Sequence, residues 1–259
     1  MQFVFDLDGT ICFRGKPISD GIVGALERLS AAGHAVIFAS ARPIRDMLPV
    51  LPERFHSYTM IGGNGSLAAR NGHILVFGSF SEEQSAKLRQ LLQQYDAAYL
   101  ADGHWDYSYT GIMDHPIRNN LDPAGLAKQV DIDVHEAIVK LLILSATDME
   151  EVAARLEELD LVLHRHDKEN VIDISPSGIH KWSALQRLNV RRGEYIAFGN
   201  DANDVTMFMN AARSVMIGYH AELAKHATDF IPHDGNSEET EARIEEKLRE
   251  LGSCPFGRP

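Results

Sequence analysis

At 259 residues the chain has room for one large domain, or for a core carrying a smaller second one, and 44% hydrophobic with 24% charged residues is the composition of a folded protein rather than a disordered or fibrous one. A formal net charge of -12 argues against nucleic acid or an anionic membrane as a partner, because both are polyanions, and leaves a small anionic ligand open. Cys12 and Cys254 are too few for a disulfide framework or a metal finger, so both are read as free thiols in a reducing cytoplasm.

The apolar start, residues 3–5, reads as a strand and is broken by Asp6 too early for a signal-peptide core or a membrane span. A helix is expected over residues 21–32, where Ile22, Leu26 and Leu29 recur at helical spacing before Gly33. Strands follow at 35–39 and 58–61. The segment 80–177 then changes character. It reads as a helix at 82–95, strands at 98–101, 105–109 and 138–144, a helix at 149–159, and short strands at 161–164 and 171–174. That pattern is an α+β unit of its own, flanked by Gly78-Ser79 and Pro176-Ser177-Gly178. Helices at 181–188, 204–212 and 222–226 alternate with strands at 195–198, 215–217 and 230–231, the pattern of a parallel sheet with covering helices. The charged stretch 237–250 reads as a solvated terminal helix, and 252–259 as a loose tail.

Chemistry concentrates where strands end. Asp6-Leu7-Asp8-Gly9-Thr10 follows the first strand, and the carboxyl ends of strands are where open α/β sheets place their ligands. Two carboxylates two residues apart can share a divalent cation while one of them attacks phosphorus. Gly9 turns the chain away, and the Thr10 hydroxyl can orient the site. An acidic turn after a strand is common, but a full Asp-x-Asp-x-Thr is specific. Ser40, after the second strand, offers a hydroxyl and a backbone N–H to a phosphate oxygen, with the Arg42 fork two residues on. Taken singly, such a serine is more often a cap. Gly199-Asn200-Asp201-Ala202-Asn203-Asp204 follows a late strand with hard oxygen donors suited to Mg²⁺. Lys181, after Gly178-Ile179-His180, can neutralise a phosphoryl group in transfer, although most lysines are simply solvated.

The order of these stretches resembles the haloacid dehalogenase superfamily of phosphohydrolases, and most closely its Cof-like group. Ser40-Ala41-Arg42-Pro43, Ile61-Gly62-Gly63-Asn64-Gly65-Ser66 and Gly178-Ile179-His180-Lys181 with Ala184-Leu185 each match one of its sub-patterns. The resemblance implies a parallel-sheet, Rossmann-like core at 1–79 and 178–259, with an inserted α+β cap domain at 80–177. It implies Asp6 as nucleophile and metal ligand, and Asp8 as general acid/base that also gives its backbone carbonyl to the metal. Ser40 and Lys181 become phosphoryl ligands, Thr10, Arg42, Asn64 and Asn203 line the substrate, and Asp204 is the distal acid of the metal loop. One departure stands out: Asn200 occupies the usual place of a carboxylate ligand, so either its amide oxygen or Asp201 meets the Mg²⁺. Ala41 and Trp182 replace glycines. The implied activity is Mg²⁺-dependent hydrolysis of a small phosphorylated metabolite through an aspartyl-phosphate, with a sugar phosphate expected first and a phosphorylated cofactor second. A phosphomutase and a non-catalytic metabolite-binding regulator are the alternatives.

Overall fold

The computed structural model describes residues 1–166 and 170–253. Cys254 and residues 255–259 of the expected tail lie outside them. The strands are β1 (Gln2–Phe5), β2 (Ala35–Ala39), β3 (Thr59–Gly62), β4 (Leu67–Arg70), β5 (His73–Val76), β6 (Ala98–Asp102), β7 (Tyr107–Tyr109), β8 (Lys140–Ser145), β9 (Leu161–His166), β10 (Val171–Pro176), β11 (Tyr195–Gly199), β12 (Arg213–Ile217) and β13 (Asp229–Ile231). The helices are α1 (Asp20–Ala31), α2 (Ile44–Met47), α3 (Glu82–Gln94), α4 (Met149–Glu157), α5 (Lys181–Arg187), α6 (Val205–Phe208), α7 (Ala221–Ala224) and α8 (Ser237–Ser253).

Strands from both ends of the chain build one sheet in the order β13-β12-β11-β1-β2-β3-β4-β5, parallel from β13 to β3. Its central strands are apolar on both sides, as a sheet covered on both faces requires. Phe3 and Phe5 join one apolar layer with Ile22 and Leu26 of α1 and Ile244 and Leu248 of α8. Val4, between them, faces the opposite layer with Leu185, Met207 and Leu223. Residues 98–176 form a second, five-stranded sheet in the order β7-β6-β8-β10-β9, antiparallel throughout, with apolar residues of α3 and α4 against it. The α/β architecture with an inserted α+β unit is the one expected.

Four local expectations change. The hairpin β4–β5 was not anticipated, although Asn71-Gly72, at φ 51 and 76, is the two-residue turn that favours it. The helix expected at 204–212 runs only over Val205–Phe208, because Ala212 N–H already donates to Tyr195 C=O as the chain enters β12. The strand expected at 105–109 begins at Tyr107. The terminal helix is not solvated all round: Thr240, Ile244, Leu248 and Leu251 are buried along one stripe, and Gly252 and Ser253 complete the helix. Among the described residues, no helix is long and apolar enough to cross a membrane.

Candidate active site

The turn after β1 positions the first two carboxylates. Asp6 N–H donates to Phe198 C=O at 2.9 Å, which ties the residue between β1 and β11. The amides of Ile11 and Cys12 converge on Leu7 C=O, and Gly9, at φ 76, reverses the chain. The turn leaves Asp6 buried and the Asp8 side chain 47% exposed. A side chain at Gly9 would also strike Asn200, since its Cβ would lie 2.3 Å from the Asn200 amide nitrogen. The turn after β1 and the loop after β11 are therefore in intimate contact.

Lys181 begins α5 and is fully buried. His180 caps that helix through Nδ1, accepting from Ser183 N–H at 3.0 Å, and the Ser183 hydroxyl in turn accepts from His180 N–H at 3.0 Å. Gly65 lets the loop after β3 lie against this cap, for its Cβ would come within 2.5 Å of His180 C=O. Lys181 Nζ then reaches Asp6 Oδ1 and Asp204 Oδ1, both at 2.6 Å. When both are ionised, the two carboxylates that share this one ammonium leave one negative charge inside the protein. Burial pushes the Asp6 carboxyl up to about 7, against the pull of Lys181 and with the repulsion of Asp204. Lys181 is held protonated more firmly than an ordinary lysine: burial opposes its charge, but Asp204 and Asp6 outweigh it.

The remaining residues gather around this centre. Thr10 Oγ1 lies 2.9 Å from Asp6 Oδ2 and 3.1 Å from the Asn200 amide oxygen. Ser40 sits at the end of β2, its N–H on Ile61 C=O and its hydroxyl accepting from Arg42 N–H. Arg42, expected on the substrate, grips both oxygens of Asp8 in this structure, Nη2 to Oδ1 at 2.6 Å and Nε to Oδ2 at 2.7 Å. Asn64 accepts from Asn203 Nδ2 at 3.2 Å and donates to Asp173 of β10 at 3.4 Å. Asp204 offers no free oxygen. Its Oδ1 meets Lys181, while Oδ2 accepts from the amides of Asn200 and Asp201, so it braces the lysine and the loop. Asp201 caps its own turn through Ala202 N–H and remains 46% exposed.

The expected Mg²⁺ is compatible with this donor set. The hard oxygens of Asp6 and Asn200 both lie within hydrogen-bonding reach of one hydroxyl, the buried cluster carries an uncompensated negative charge, and the Asn203 Oδ1 is buried without a partner among the described residues. No cluster of three His, Cys, Asp or Glu residues suited to a metal occurs among the described residues. An amide and backbone carbonyls would supply the balance of such a site, since Asp8 and Asp204 spend their side chains on Arg42 and Lys181.

Two residues near this centre were not singled out from the sequence. Lys140 of β8, buried, donates from Nζ to Ala41 C=O at 2.9 Å and pairs with Asp173 at 3.0 Å. The available signal was one charge of each sign inside two otherwise apolar strands, Ile138-Val139-Lys140-Leu141 and Val171-Ile172-Asp173-Ile174. The inserted unit thus places a cation one residue from Ser40.

Comparison with known proteins agrees with this fold. A family described as haloacid dehalogenase-like hydrolase matches residues 3–239. The putative phosphatase YkrA of Bacillus subtilis (strain 168) is 28% identical over 88% of this chain and 90% of its own. The 5-amino-6-(5-phospho-D-ribitylamino)uracil phosphatase YitU of the same organism is 23% identical over 85% and 87%. A solved sugar phosphatase of HAD subclass IIB superposes with a TM-score of 0.79 over 97% of this chain and 98% of that one, at 16% identity, a likeness of fold.

Proposed function

The chain belongs to the haloacid dehalogenase-like hydrolases, matched across residues 3–239, and we propose that it is a Mg²⁺-dependent phosphatase that removes phosphate from a small metabolite through an aspartyl-phosphate on Asp6. The observation that carries this reading is the 2.6 Å contact of Lys181 Nζ with an Asp6 oxygen, two residues before the more exposed carboxylate of Asp8.

In the first step an oxygen of Asp6 forms a bond to phosphorus as the bond to the leaving oxygen breaks, and Asp8 gives that oxygen a proton. In the second step Asp8 takes a proton from water, the water oxygen bonds to phosphorus, and the Asp6–phosphorus bond breaks. Lys181 and the Ser40 hydroxyl balance charge on the phosphoryl oxygens throughout, since the Ser40 N–H already donates to Ile61 C=O. Asp8 must free one oxygen from Arg42 to carry the proton while the other stays paired, and its exposure leaves room for that movement. The residues suited to hold Mg²⁺ are Asp6, the Asp8 backbone carbonyl and either Asn200 or Asp201. Bound there, the ion would supply electrostatic stabilisation of the transferring phosphoryl group.

Residues 1–79 and 178–259 serve as the catalytic core, and 80–177 as the cap that encloses the leaving group. A cytoplasmic setting fits the free, buried Cys12. Relatives are named for a phosphoribitylaminouracil and for HMP-PP, and a sugar phosphate stays the first expectation for the substrate with a phosphorylated cofactor second. The test is release of inorganic phosphate from p-nitrophenyl phosphate with Mg²⁺ by wild type and Asp6→Asn. Loss of release in the variant supports the reading, and equal rates remove Asp6 as nucleophile. Return of the phosphoryl group to substrate would mark a phosphomutase, and tight binding without turnover a regulator.

A further inference from the structure

Arg45 is a residue of the core, in α2, yet it is 1% exposed and its shortest contacts lie in the inserted unit. Nη2 meets Asp102 Oδ1 of β6 at 2.5 Å, and Nη1 donates to Trp105 C=O at 2.7 Å. The guanidinium also lies 5.0 Å from the centre of the Tyr107 ring of β7. The next residue, Asp46, accepts from Asp122 N–H at 3.0 Å. Two consecutive residues of α2 are thus held by the inserted unit.

The same short stretch holds the acid/base. Arg42 Nη1 donates to the backbone carbonyl of Asp46 at 3.2 Å, while Nε and Nη2 grip Asp8. Three corners of one planar fork are therefore engaged, two on Asp8 and the third on residue 46. The fork cannot swing from Asp8 without losing that carbonyl, and the carbonyl is fixed while Arg45 and Asp46 stay bonded across the seam. Ser40 needs no such support. Its N–H donates to Ile61 C=O and its C=O accepts from Asn64 N–H at 3.1 Å, both within the core. The Lys140 contact at Ala41 C=O does not involve Arg45 either.

We propose that Arg45 is a positioning residue for the reaction: its hold on Asp102 and Trp105 C=O fixes the Asp46 carbonyl behind Arg42, so that Asp8 is aligned with the leaving oxygen only while the inserted unit is docked. The step it serves is transfer of the Asp8 carboxyl proton to that oxygen as the oxygen–phosphorus bond breaks. The proposal rests on the phosphatase reading above and carries its acid/base apparatus into the inserted unit.

The test measures kcat/KM of the full chain with Mg²⁺ on two esters. The leaving group of 2,4-dinitrophenyl phosphate departs without a proton, whereas that of phenyl phosphate needs one. Arg45→Met should lower the phenyl phosphate value about tenfold and leave the dinitrophenyl value within about twofold, since a misaligned acid matters only where a proton is transferred. Because that change strands two carboxylates in the seam, the nearly isosteric Asp102→Asn is measured beside it and should show the same selective loss. In an Arg42→Ala background neither change should lower phenyl phosphate turnover further, because the link through which it acts is gone. Equal losses on both esters, losses that multiply with that of Arg42→Ala, or no loss in either variant would overturn the inference and leave the phosphatase reading standing. Absence of turnover of both esters by wild type sinks that reading as well.

Discussion

Arg42 holds Asp8 by both carboxylate oxygens, at 2.6 and 2.7 Å, while Asp8 itself is half exposed. A paired guanidinium fork fixes the plane as well as the position of a carboxylate. In the proposed mechanism the arginine would therefore position Asp8, and its own backbone is held in turn, since Arg42 C=O accepts from Gly63 N–H. Arg42→Ala should lower kcat by about 10–100-fold with little change in KM, as misplacing a reacting group by about 1 Å does. Arg42→Lys, which cannot bind both oxygens in one plane, should fall between. Steady-state kinetics on p-nitrophenyl phosphate decide it: a rise in KM at constant kcat would mean that Arg42 binds the phosphate directly.

Lys181 is the only cation that contacts both Asp6 and Asp204 among the described residues. Replacing it with Met leaves two buried carboxylates facing one another, a change expected to cost about 3–5 kcal/mol. Lys181→Met should thus melt well below wild type and recover part of the loss as Mg²⁺ is added. Asp6→Asn does the reverse, because it removes the surplus buried charge. Its activity should vanish while its melting temperature stays equal or rises. Differential scanning calorimetry of both variants, with EDTA and with Mg²⁺, tests the charge count. A stable Lys181→Met protein in EDTA would refute it.

The parts of this arrangement that can be read from sequence are those encoded by local pattern. Asp6, Ser40 and Asn200 each follow a run of apolar residues that can only be a buried strand, so their convergence at one sheet edge follows from parallel topology. The hairpin turn at Asn71-Gly72 is equally local, but the strand before it, Leu67-Ala68-Ala69-Arg70, lacks the β-branched residues that mark a strand. What cannot be read this way depends on side-chain direction across long separations. Arg42 on Asp8 spans 34 residues, and Lys140 on Ala41 spans 99. Neither pairing leaves a periodic trace. The buried stripe of α8 was hidden for another reason: glutamates, lysines and arginines surround its four buried positions, and charge count obscured the spacing.

Asn200 stands where a carboxylate is usual, and its oxygen shares the Thr10 hydroxyl with Asp6. Mg²⁺ affinity rises with the charge of its oxygen donors. Asn200→Asp should then bind Mg²⁺ about tenfold more tightly, seen as a lower midpoint for Mg²⁺-induced thermal stabilisation. In EDTA the same variant should melt below wild type, since a further carboxylate joins a cluster already negative. Unchanged midpoints would assign the ligand to Asp201, and Asp201→Asn should then weaken binding instead.

At the seam between the two sheets, Asp46 accepts from Asp122 N–H of the inserted unit at 3.0 Å, beside Arg45, which is itself bonded to Asp102 and Trp105 C=O. Burial pushes the Asp46 carboxyl up to about 7, opposed by Arg45 and assisted by Asp102. Its ordinary value is 3.8, so between those limits the folded protein holds a proton that the unfolded chain has released. Stability from this group is therefore largest at low pH within the window and is lost as pH rises through about 7. Asp46→Asn imitates the protonated form at every pH. The two proteins should unfold at the same urea concentration near pH 3, below both values, and the variant should pull ahead through the window until by pH 8 it is more stable by about 4 kcal/mol. Urea melts across that range measure the divergence. Parallel curves would mean that Asp46 is ionised throughout and that Arg45 compensates it fully.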